Sequence, residues 1–277
     1  MVTGAMSSVK PSRVHEWKTG KVSVSGGYLA YHRSGADAQP LLLVHGLTDN
    51  GLCWARLAAE LAARFDVILL DARGHGNSSR IAEDHTHDPG EDLAEAIAGL
   101  GLNDLVLMGH SVGARAAAVC AGMIPAKVTK LVIDDPPLIP LTGHATRQKR
   151  LAALREQAAA FQAMTHAEII ARGRADAPSW HEDDLTDWAI AKKQFDPAAY
   201  PTYTQAWQTT LARLSTPTLL IFGEVDRGSL VTPLTAREAG VLSPHLRSIQ
   251  IRNSGHNIRR ENFPDYLGAV QAFLSDP

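Results

Sequence analysis

The segment LVLMGHSVGARAAAVCAGM, residues 105–123, joins an apolar run to a run of small residues through a Gly-His-Ser-Val-Gly turn. The apolar run is typical of a strand buried on both faces of a parallel sheet, and the Ala-rich run is typical of a helix. Glycines at 109 and 113 leave room for such a strand and helix to pass closely. A serine in this turn is strained and stands at the carboxyl edge of the sheet, so Ser111 is a candidate nucleophile.

The same alternation of strands and helices extends along most of the chain. Strand-like runs are predicted at residues 41–44, 66–70, 105–108, 130–133, 218–222 and 246–251, after an opening hairpin around the Ser-Gly-Gly at 25–27. Helical patterns are predicted at residues 54–65, 92–100, 114–123, 233–242 and 264–274. This alternation predicts an α/β fold, with a mostly parallel sheet of about eight strands covered by helices on both faces.

Residues 136–215 interrupt the alternation. They contain no strand-like run and are rich in good helix formers, as in RQKRLAALREQAAAFQAM. An insertion of this length must leave the sheet and return to it. We therefore predict a helical cap at 136–215, placed over the carboxyl edge of a core made of residues 15–135 and 216–277.

Composition narrows the class of protein. The chain has 277 residues, 45% of them hydrophobic, and 27 basic against 29 acidic side chains, with no basic block that would favour a nucleic-acid partner. Its two cysteines, Cys53 and Cys120, lie in different segments and predict no disulfide framework. No signal-like apolar region and no bilayer-length apolar run is present, so we expect a cytoplasmic, soluble protein. The sequence leaves a homodimer open.

A serine hydroxyl becomes a useful nucleophile when a base removes its proton, and a carboxylate orients that base. The chain has 12 histidines, so the candidate base has to be chosen by its position relative to the predicted strands. His256 lies in NSGHNIRRENFP, directly after the last predicted strand and before the last predicted helix. A histidine there would lie on a loop at the carboxyl edge of the sheet, on the same side as Ser111.

Two acids follow neighbouring predicted strands. Asp226 follows the strand at 218–222, and Asp135, with Asp134 beside it, follows the strand before that. We favour Asp226, because its strand directly precedes the strand that leads to His256. Asp135 is the alternative acid, and Glu224 is a weaker third candidate.

In the order Ser111, Asp226, His256, the chain resembles the α/β-hydrolase superfamily, whose order of nucleophile, acid and base this is. VHGLTDNG (44–51) is similar to the oxyanion loop of that family, and DARGHGNSS (71–79) to its Asp-x-Arg-Gly-x-Gly-x-Ser segment. The resemblance extends over nearly the whole chain outside the insertion and the amino terminus. It implies an α/β-hydrolase fold and a catalytic triad of these three residues.

The resemblance also implies an oxyanion hole made by the backbone N–H groups of Leu47 and Val112. Gly46 would let the chain turn so that the Leu47 amide points inward. His45 is expected to be structural, as are the residues of the second matching segment: Asp71, Arg73, Gly74, His75 and Gly76. No cofactor and no metal is expected. The acidic and histidine-rich run EDHTHD, residues 83–88, is interpreted as a polar surface loop.

Candidate pocket residues come from two regions. Near the matching motifs they are His110, Cys53 and Trp54, and in the insertion they are the aromatic residues Trp180, Trp188, Tyr200, Tyr203 and Trp207. Aromatic side chains also dominate protein cores, so about half of those in the insertion are expected in the core of the cap.

The function predicted from these residues is hydrolysis of small carboxylic esters through an acyl-enzyme. Haloalkane dehalogenases and epoxide hydrolases resemble this pattern but have Asp at the position of Ser111, which disfavours both. The segment HGLT, residues 45–48, differs from the HGGG motif of one esterase subfamily and disfavours that subfamily as well. The same triad leaves carbon–carbon bond hydrolase, lactonase, amidase and cofactor-free perhydrolase activities open. A ligand receptor built on this fold is the alternative outside enzymes.

Overall fold

The computed structural model describes residues 17–81, 88–141, 143–201 and 203–276. Its strands are β1 (Lys18–Val24), β2 (Gly27–Arg33), β3 (Pro40–Val44), β4 (Asp66–Leu70), β5 (Leu105–His110), β6 (Val128–Asp134), β7 (Thr218–Phe222) and β8 (Leu246–Gln250). Its helices are α1 (Ala55–Leu61), α2 (Pro89–Gly99), α3 (Val112–Met123), α4 (His144–Ala163), α5 (His166–Asp176), α6 (Glu182–Lys192), α7 (Trp207–Ala212), α8 (Pro233–Leu242), α9 (Ile258–Glu261) and α10 (Phe263–Ser275).

The strands form one eight-stranded sheet in the order β1-β2-β4-β3-β5-β6-β7-β8. The hairpin β1–β2 joins β4 in antiparallel pairing, and the strands from β4 to β8 pair in parallel. The predicted fold class is therefore confirmed. Because parallel strands end at the same edge, the loops that follow β3, β5, β6, β7 and β8 meet there.

The sheet is covered on both faces, which explains the continuous apolar runs in its strands. In β3, Leu42 and Val44 pack in a cluster with α2, α3 and α8, while Leu41 and Leu43 pack on the other face with α1 and α10. The edge strand β8 differs, because Leu246 is its one buried side chain.

Helices α4 to α7 lie between β6 and β7, and the described part of this insertion contains no strand. Phe161, Ile169, Ala189 and Phe195 form a small separate core there. Trp207, predicted as a pocket residue, instead packs in the main core against the sheet. None of the helices in the described ranges is long and apolar enough to cross a bilayer.

A buried ion pair joins the loop after β4 to α2. The Arg73 guanidinium donates to both carboxylate oxygens of Asp92, at 2.8 and 2.6 Å, and both residues are less than a tenth exposed. Arg73 also donates to the carbonyls of Ser25 and Gly26 in the β1–β2 turn. The ion pair therefore holds three segments together beneath the carboxyl edge.

Replacing Asp92 by Ala should lower the free energy of unfolding by about 3–5 kcal/mol, because the Arg73 charge stays buried without its partner. The matched control is Asp176→Ala, which removes the exposed ion pair of Asp176 with Arg172 and should cost no more than about 0.5 kcal/mol. Urea unfolding followed by tryptophan fluorescence measures both. Equal losses for the two variants would contradict the structural role given to Arg73.

Candidate active site

Ser111 lies in the turn between β5 and α3 with its backbone at φ 54° and ψ −123°, in the region that side chains other than glycine rarely adopt. Both flanking glycines are required by close approach. A Cβ at Gly109 would lie 2.4 Å from the carbonyl oxygen of Gly113, and one at Gly113 would lie 2.3 Å from that of His45. The Gly-x-Ser-x-Gly spacing therefore follows from how tightly strand, turn and helix pack.

His256 lies on the loop after β8, and its Nε2 is 3.1 Å from the Ser111 Oγ. The ring of His110 lies beside it, with 4.7 Å between centroids, and the His110 Nε2 is 2.9 Å from the backbone carbonyl of His256. His110 therefore positions the loop that carries His256. The sequence placed both residues near Ser111, and the structure brings all three together.

The acid in contact with His256 is Asp135, so the preference for Asp226 is wrong. The Asp135 Oδ2 lies 2.6 Å from the His256 Nδ1, and the Asp135 side chain is fully buried. Its carboxylate also accepts hydrogen bonds from the Ser229 hydroxyl at 2.7 Å and from the amides of Leu230 and Val231 at 2.8 and 3.0 Å. These bonds hold the carboxylate in one position, with the His256 Nδ1–H as donor.

Asp226 is exposed in the single turn Val225–Arg227, and Glu224 pairs with Arg227 at 3.1 Å. The loop after β7 thus contributes the amides that hold Asp135 rather than an acid of its own. The physical reason lies in the shape of that loop, which turns the Leu230 and Val231 amides toward the Asp135 carboxylate and leaves Asp226 exposed.

Asp134, the other member of the acidic pair, is fully buried, and burial raises the pKa of its carboxyl to about 7. Its backbone carbonyl accepts from the Ser111 amide at 2.8 Å. Asp134 therefore supports the nucleophile turn through its main chain.

The loop after β3 is held by histidines. The Gly46 carbonyl contacts the His45 Nδ1 at 2.8 Å and accepts from the Asp49 amide at 3.1 Å. Since C=O and N–H of a trans peptide point in opposite directions, the Leu47 N–H points away from these groups. The Leu47 carbonyl contacts the His75 Nε2. Both ends of residue 47 are thus fixed.

His45 has the structural role expected of it. Its Nε2 accepts from the Ala72 amide at 2.9 Å, and burial lowers the pKa of its imidazole to about 3, so the ring stays neutral. The reason given for Gly46 needs correction, because its φ is not positive. A Cβ there would instead lie 2.9 Å from the His110 Nδ1, so Gly46 is needed for close approach.

The Val112 amide is the first of α3 and has no acceptor one turn earlier within that helix. Leu47 and Val112 both line the cavity that contains Ser111 and His256. Both residues therefore lie at the cavity beside Ser111, and the oxyanion hole formed by their amides stays a prediction.

This cavity has a volume of about 470 Å³ and is open to solvent. The predicted pocket residues that line it are His110, Trp180, Trp188, Tyr200 and Tyr203. Cys53 and Trp54 do not line it, because both point into the protein, Trp54 in the core beneath α1. Trp207 is likewise absent from its wall.

A buried group of charges that sequence reasoning missed lies beside the site: Asp49, Lys192, Arg259 and Arg260. The Asp49 carboxylate contacts the Lys192 Nζ at 3.5 Å and one guanidinium nitrogen of each arginine at 3.0 Å. Burial lowers the pKa of Lys192 to about 8. The available signal was the Arg-Arg pair three residues after His256.

The described part of the chain contains no group of three His, Cys, Asp or Glu side chains that could hold a metal ion. The run at 83–88 cannot be placed, since residues 83–87 lie outside the described ranges.

A family model described as "Alpha/beta hydrolase family" matches residues 41–266, which is most of the chain. The chain belongs to the α/β hydrolase family. It is 28% identical over 267 residues to N-formylmaleamate deformylase of Pseudomonas putida, covering 93% of this chain and 97% of that protein. It is 27% identical over 239 residues to pimeloyl-[acyl-carrier protein] methyl ester esterase of Vibrio cholerae, covering 82% and 90%.

Among solved structures, E-2-(acetamidomethylene)succinate hydrolase superimposes with a TM-score of 0.78 at 20% identity, covering 94% of this chain and 100% of that one. At that identity the likeness shows the fold alone, and it agrees with the eight-stranded sheet described above.

Asp135→Asn should lower kcat by about 10⁴-fold, because an amide in that position favours the wrong tautomer of His256. Asp226→Asn is the matched control and should leave kcat unchanged, since that side chain is exposed and the His256 ring nitrogens contact Asp135 and Ser111 instead. Steady-state hydrolysis of 4-nitrophenyl acetate measures both. A large loss in the Asp226 variant alone would restore the acid that the sequence favoured.

Burial raises the pKa of both cysteine thiols, Cys53 and Cys120, to about 12. Iodoacetamide at pH 8 should therefore label neither in the native protein and both in urea, because the thiolate is the reactive form. Mass spectrometry of the intact chain counts the adducts. Rapid native labelling of Cys53 would mean that it faces the cavity after all.

Proposed function

We propose that this chain is a serine hydrolase that cleaves small carboxylic esters through an acyl-enzyme intermediate. The observation that carries the proposal is the continuous contact from the Ser111 hydroxyl through the His256 ring to the buried Asp135 carboxylate. These consecutive contacts would supply a nucleophile (Ser111), a base (His256) and an orienting acid (Asp135). The cavity beside them is large enough for a small molecule.

In the first half-reaction the Ser111 Oγ attacks the substrate carbonyl while the His256 Nε2 takes its proton. Asp135 keeps the other ring nitrogen protonated and stabilises the imidazolium that forms. The negative charge on the carbonyl oxygen is received by the Leu47 and Val112 amides. Each such donor contributes about 3 kcal/mol to stabilising the transition state, and it needs no reorganisation during the reaction.

In the collapse of the tetrahedral intermediate, His256 returns its proton to the leaving oxygen and the alcohol departs. A water molecule then attacks the acyl-enzyme and loses a proton to His256. The second tetrahedral intermediate releases the acid product as His256 returns that proton to the Ser111 Oγ, which restores the free enzyme. Every proton in this cycle moves through the Nε2 of one histidine, which is why the fixed tautomer matters.

A second candidate bond is the C–N bond of a small amide. It is favoured by the likeness to N-formylmaleamate deformylase, which extends over 93% of this chain. The same residues would serve, with His256 protonating the departing nitrogen instead of an oxygen. In the same way, the likeness to a methyl ester esterase supports cleavage of an ester bond.

Ser111→Ala should abolish turnover of 4-nitrophenyl acetate and butyrate and prevent labelling by a fluorophosphonate, since both need the activated hydroxyl. The wild-type protein should release a burst of nitrophenol where deacylation is slow. Comparing kcat/KM for these esters with kcat/KM for N-formyl and N-acetyl amides, a lactone and a vinylogous diketone shows which type of bond the chain cleaves fastest. Undiminished ester cleavage by the Ser111 variant would contradict the proposal. A wild-type chain that neither cleaves these substrates nor reacts with the fluorophosphonate would favour a ligand receptor.

A further inference from the structure

The cavity at Ser111 has a cationic wall. Lys192, at the end of α6, and Arg260, in α9, both line it, and both side chains are more than nine-tenths buried. The exposed side chain of Arg150, from α4, lines the same cavity, with its guanidinium donating to the Tyr200 hydroxyl at 2.8 Å. Two elements of the insertion and the loop after His256 thus bring positive charge to one space.

One carboxylate pairs with both of these buried cations and with a third, Arg259. Asp49 contacts Lys192, Arg259 and Arg260, and no other ion pair joins a carboxylate to the three within the described residues. The group therefore has an excess of two positive charges when all four are ionised. Burying charge without compensation is costly, so the excess favours an anion from outside the chain.

Two other carboxylates on the neighbouring elements are held by different partners. Asp184 pairs with Arg56 at 2.9 Å. Glu261 accepts from the amides of Gly255 and Asn257, at 2.5 and 3.1 Å. Neither is in contact with Lys192 or Arg260 in place of Asp49.

The cations differ in what they can still donate. The Lys192 Nζ is already bonded to the carbonyl and hydroxyl oxygens of Thr48, at 2.8 and 2.5 Å, so it contributes mainly its charge. The Arg260 guanidinium donates through Nη1 to the Asn257 Oδ1 at 3.2 Å and through Nη2 to Asp49 at 3.0 Å, and its buried Nε has no acceptor among the described residues. The Nε and Nη1 of Arg259 also have none, but Arg259 lies 4.3 Å from the Trp54 ring and does not line the cavity. Arg260 is therefore the arginine of this group that lies at the cavity wall.

A purely structural role would not require this excess. The group does connect the loop after β3, the loop after β8 and α6, and one arginine with Asp49 would make such a connection at charge balance. Arg260 is also held against the Trp180 ring, at 4.7 Å, and that ring lines the cavity. Stacking fixes the guanidinium plane, as recognition of a planar anion requires.

We propose that the substrate carries a carboxylate, bound by Arg260 within the positive field of Lys192, while its scissile carbonyl lies at Ser111. The proposal rests on the hydrolase function proposed above and names the class of its substrate. A carboxylate is favoured over a dianion such as phosphate, because it brings one negative charge rather than two next to the Asp49 carboxylate. Exposed Arg150 would attract such a substrate to the opening.

The first test compares two esters of equal length on the wild-type chain: 4-nitrophenyl hydrogen succinate, and the same compound with its free acid capped as a methyl ester. A charged hydrogen bond should raise kcat/KM for the acid over the capped ester by about tenfold to a hundredfold. Equal values, or a preference for the capped ester, would overturn the proposal.

The second test measures binding without turnover. Ser111→Ala should bind succinate and maleate in calorimetry and bind succinamide more weakly by at least about tenfold. If this variant loses ester cleavage but does not bind the diacids selectively, the hydrolase function is supported and the carboxylate site is contradicted. If the variant binds the diacids selectively but the wild-type chain cleaves no ester, the carboxylate site is supported and the hydrolase function is contradicted. Tighter binding of inorganic phosphate than of succinate would also count against a carboxylate.

The third test separates recognition from support. Arg260→Gln should lower the ratio of kcat/KM for the acid over the capped ester by about tenfold, mainly through KM. Arg155→Gln, an exposed arginine elsewhere on α4, should leave that ratio unchanged. If both esters slow equally in the Arg260 variant, the cluster is structural and the proposal fails.

Should Arg260→Gln not fold, Arg150→Gln provides the same measurement at an exposed position. It should lower the ratio by a smaller factor, and added salt should reduce that effect, because exposed charges are screened. An Arg150 variant with an unchanged ratio at low salt would contradict the proposed attraction.

Discussion

The site depends on one steric constraint, the close passage of β5, the serine turn and α3. Hydrogen is the only substituent that fits at Gly109 and Gly113, where a Cβ would fall within 2.4 Å of a backbone oxygen. In that space Ser111 adopts a left-handed backbone that sets its hydroxyl at the carboxyl edge. The same turn leaves the first amide of α3 without a helical acceptor, so Ser111 and the amide predicted as an oxyanion donor come from a single strained unit.

The buried carboxylate of Asp135 is the second fixed point, and several loops converge on it. The loop after β6 supplies the carboxylate, the loop after β7 supplies two amides and a hydroxyl, and the loop after β8 supplies His256. A fully buried charge is tolerated because it accepts several hydrogen bonds. Its position therefore determines where the loops after β7 and β8 must lie.

Charge is distributed unevenly around the nucleophile. Asp135 places a carboxylate on one side of His256, while Asp49 and its three cations join the loop after β3 to α6 and α9. Because this cluster shares a chain segment with Leu47 and another with His256, its charges and the positions of these loops are coupled. The cluster and the contact between Ser111 and His256 therefore depend on the same loops, and the insertion contributes Lys192, Trp180 and Trp188 to the cavity.

The local sequence pattern was sufficient to predict the strands of the sheet. Apolar runs, the glycine turn at 25–27 and the Gly-x-Ser-x-Gly turn predicted every strand of the sheet. In the central strands β3, β4, β5 and β7 the continuous apolar pattern reflects burial of both faces, whereas the edge strand β8 buries only Leu246. The contact between Ser111 and His256 was also predictable, since parallel strands end at one edge. The choice between Asp135 and Asp226 was not, because both follow strands that end there.

That choice depends on lateral strand order and on loop shape, which no local pattern contains. The sequence by itself determined the fold class, the nucleophile turn and the histidine that lies against it. Only the tertiary structure decided the acid, buried Trp54 and Trp207 away from the cavity, and assembled Asp49, Lys192 and Arg260 from distant segments. The physical reason is that periodicity reports which face of an element is buried, whereas contacts between loops depend on how the whole sheet is ordered.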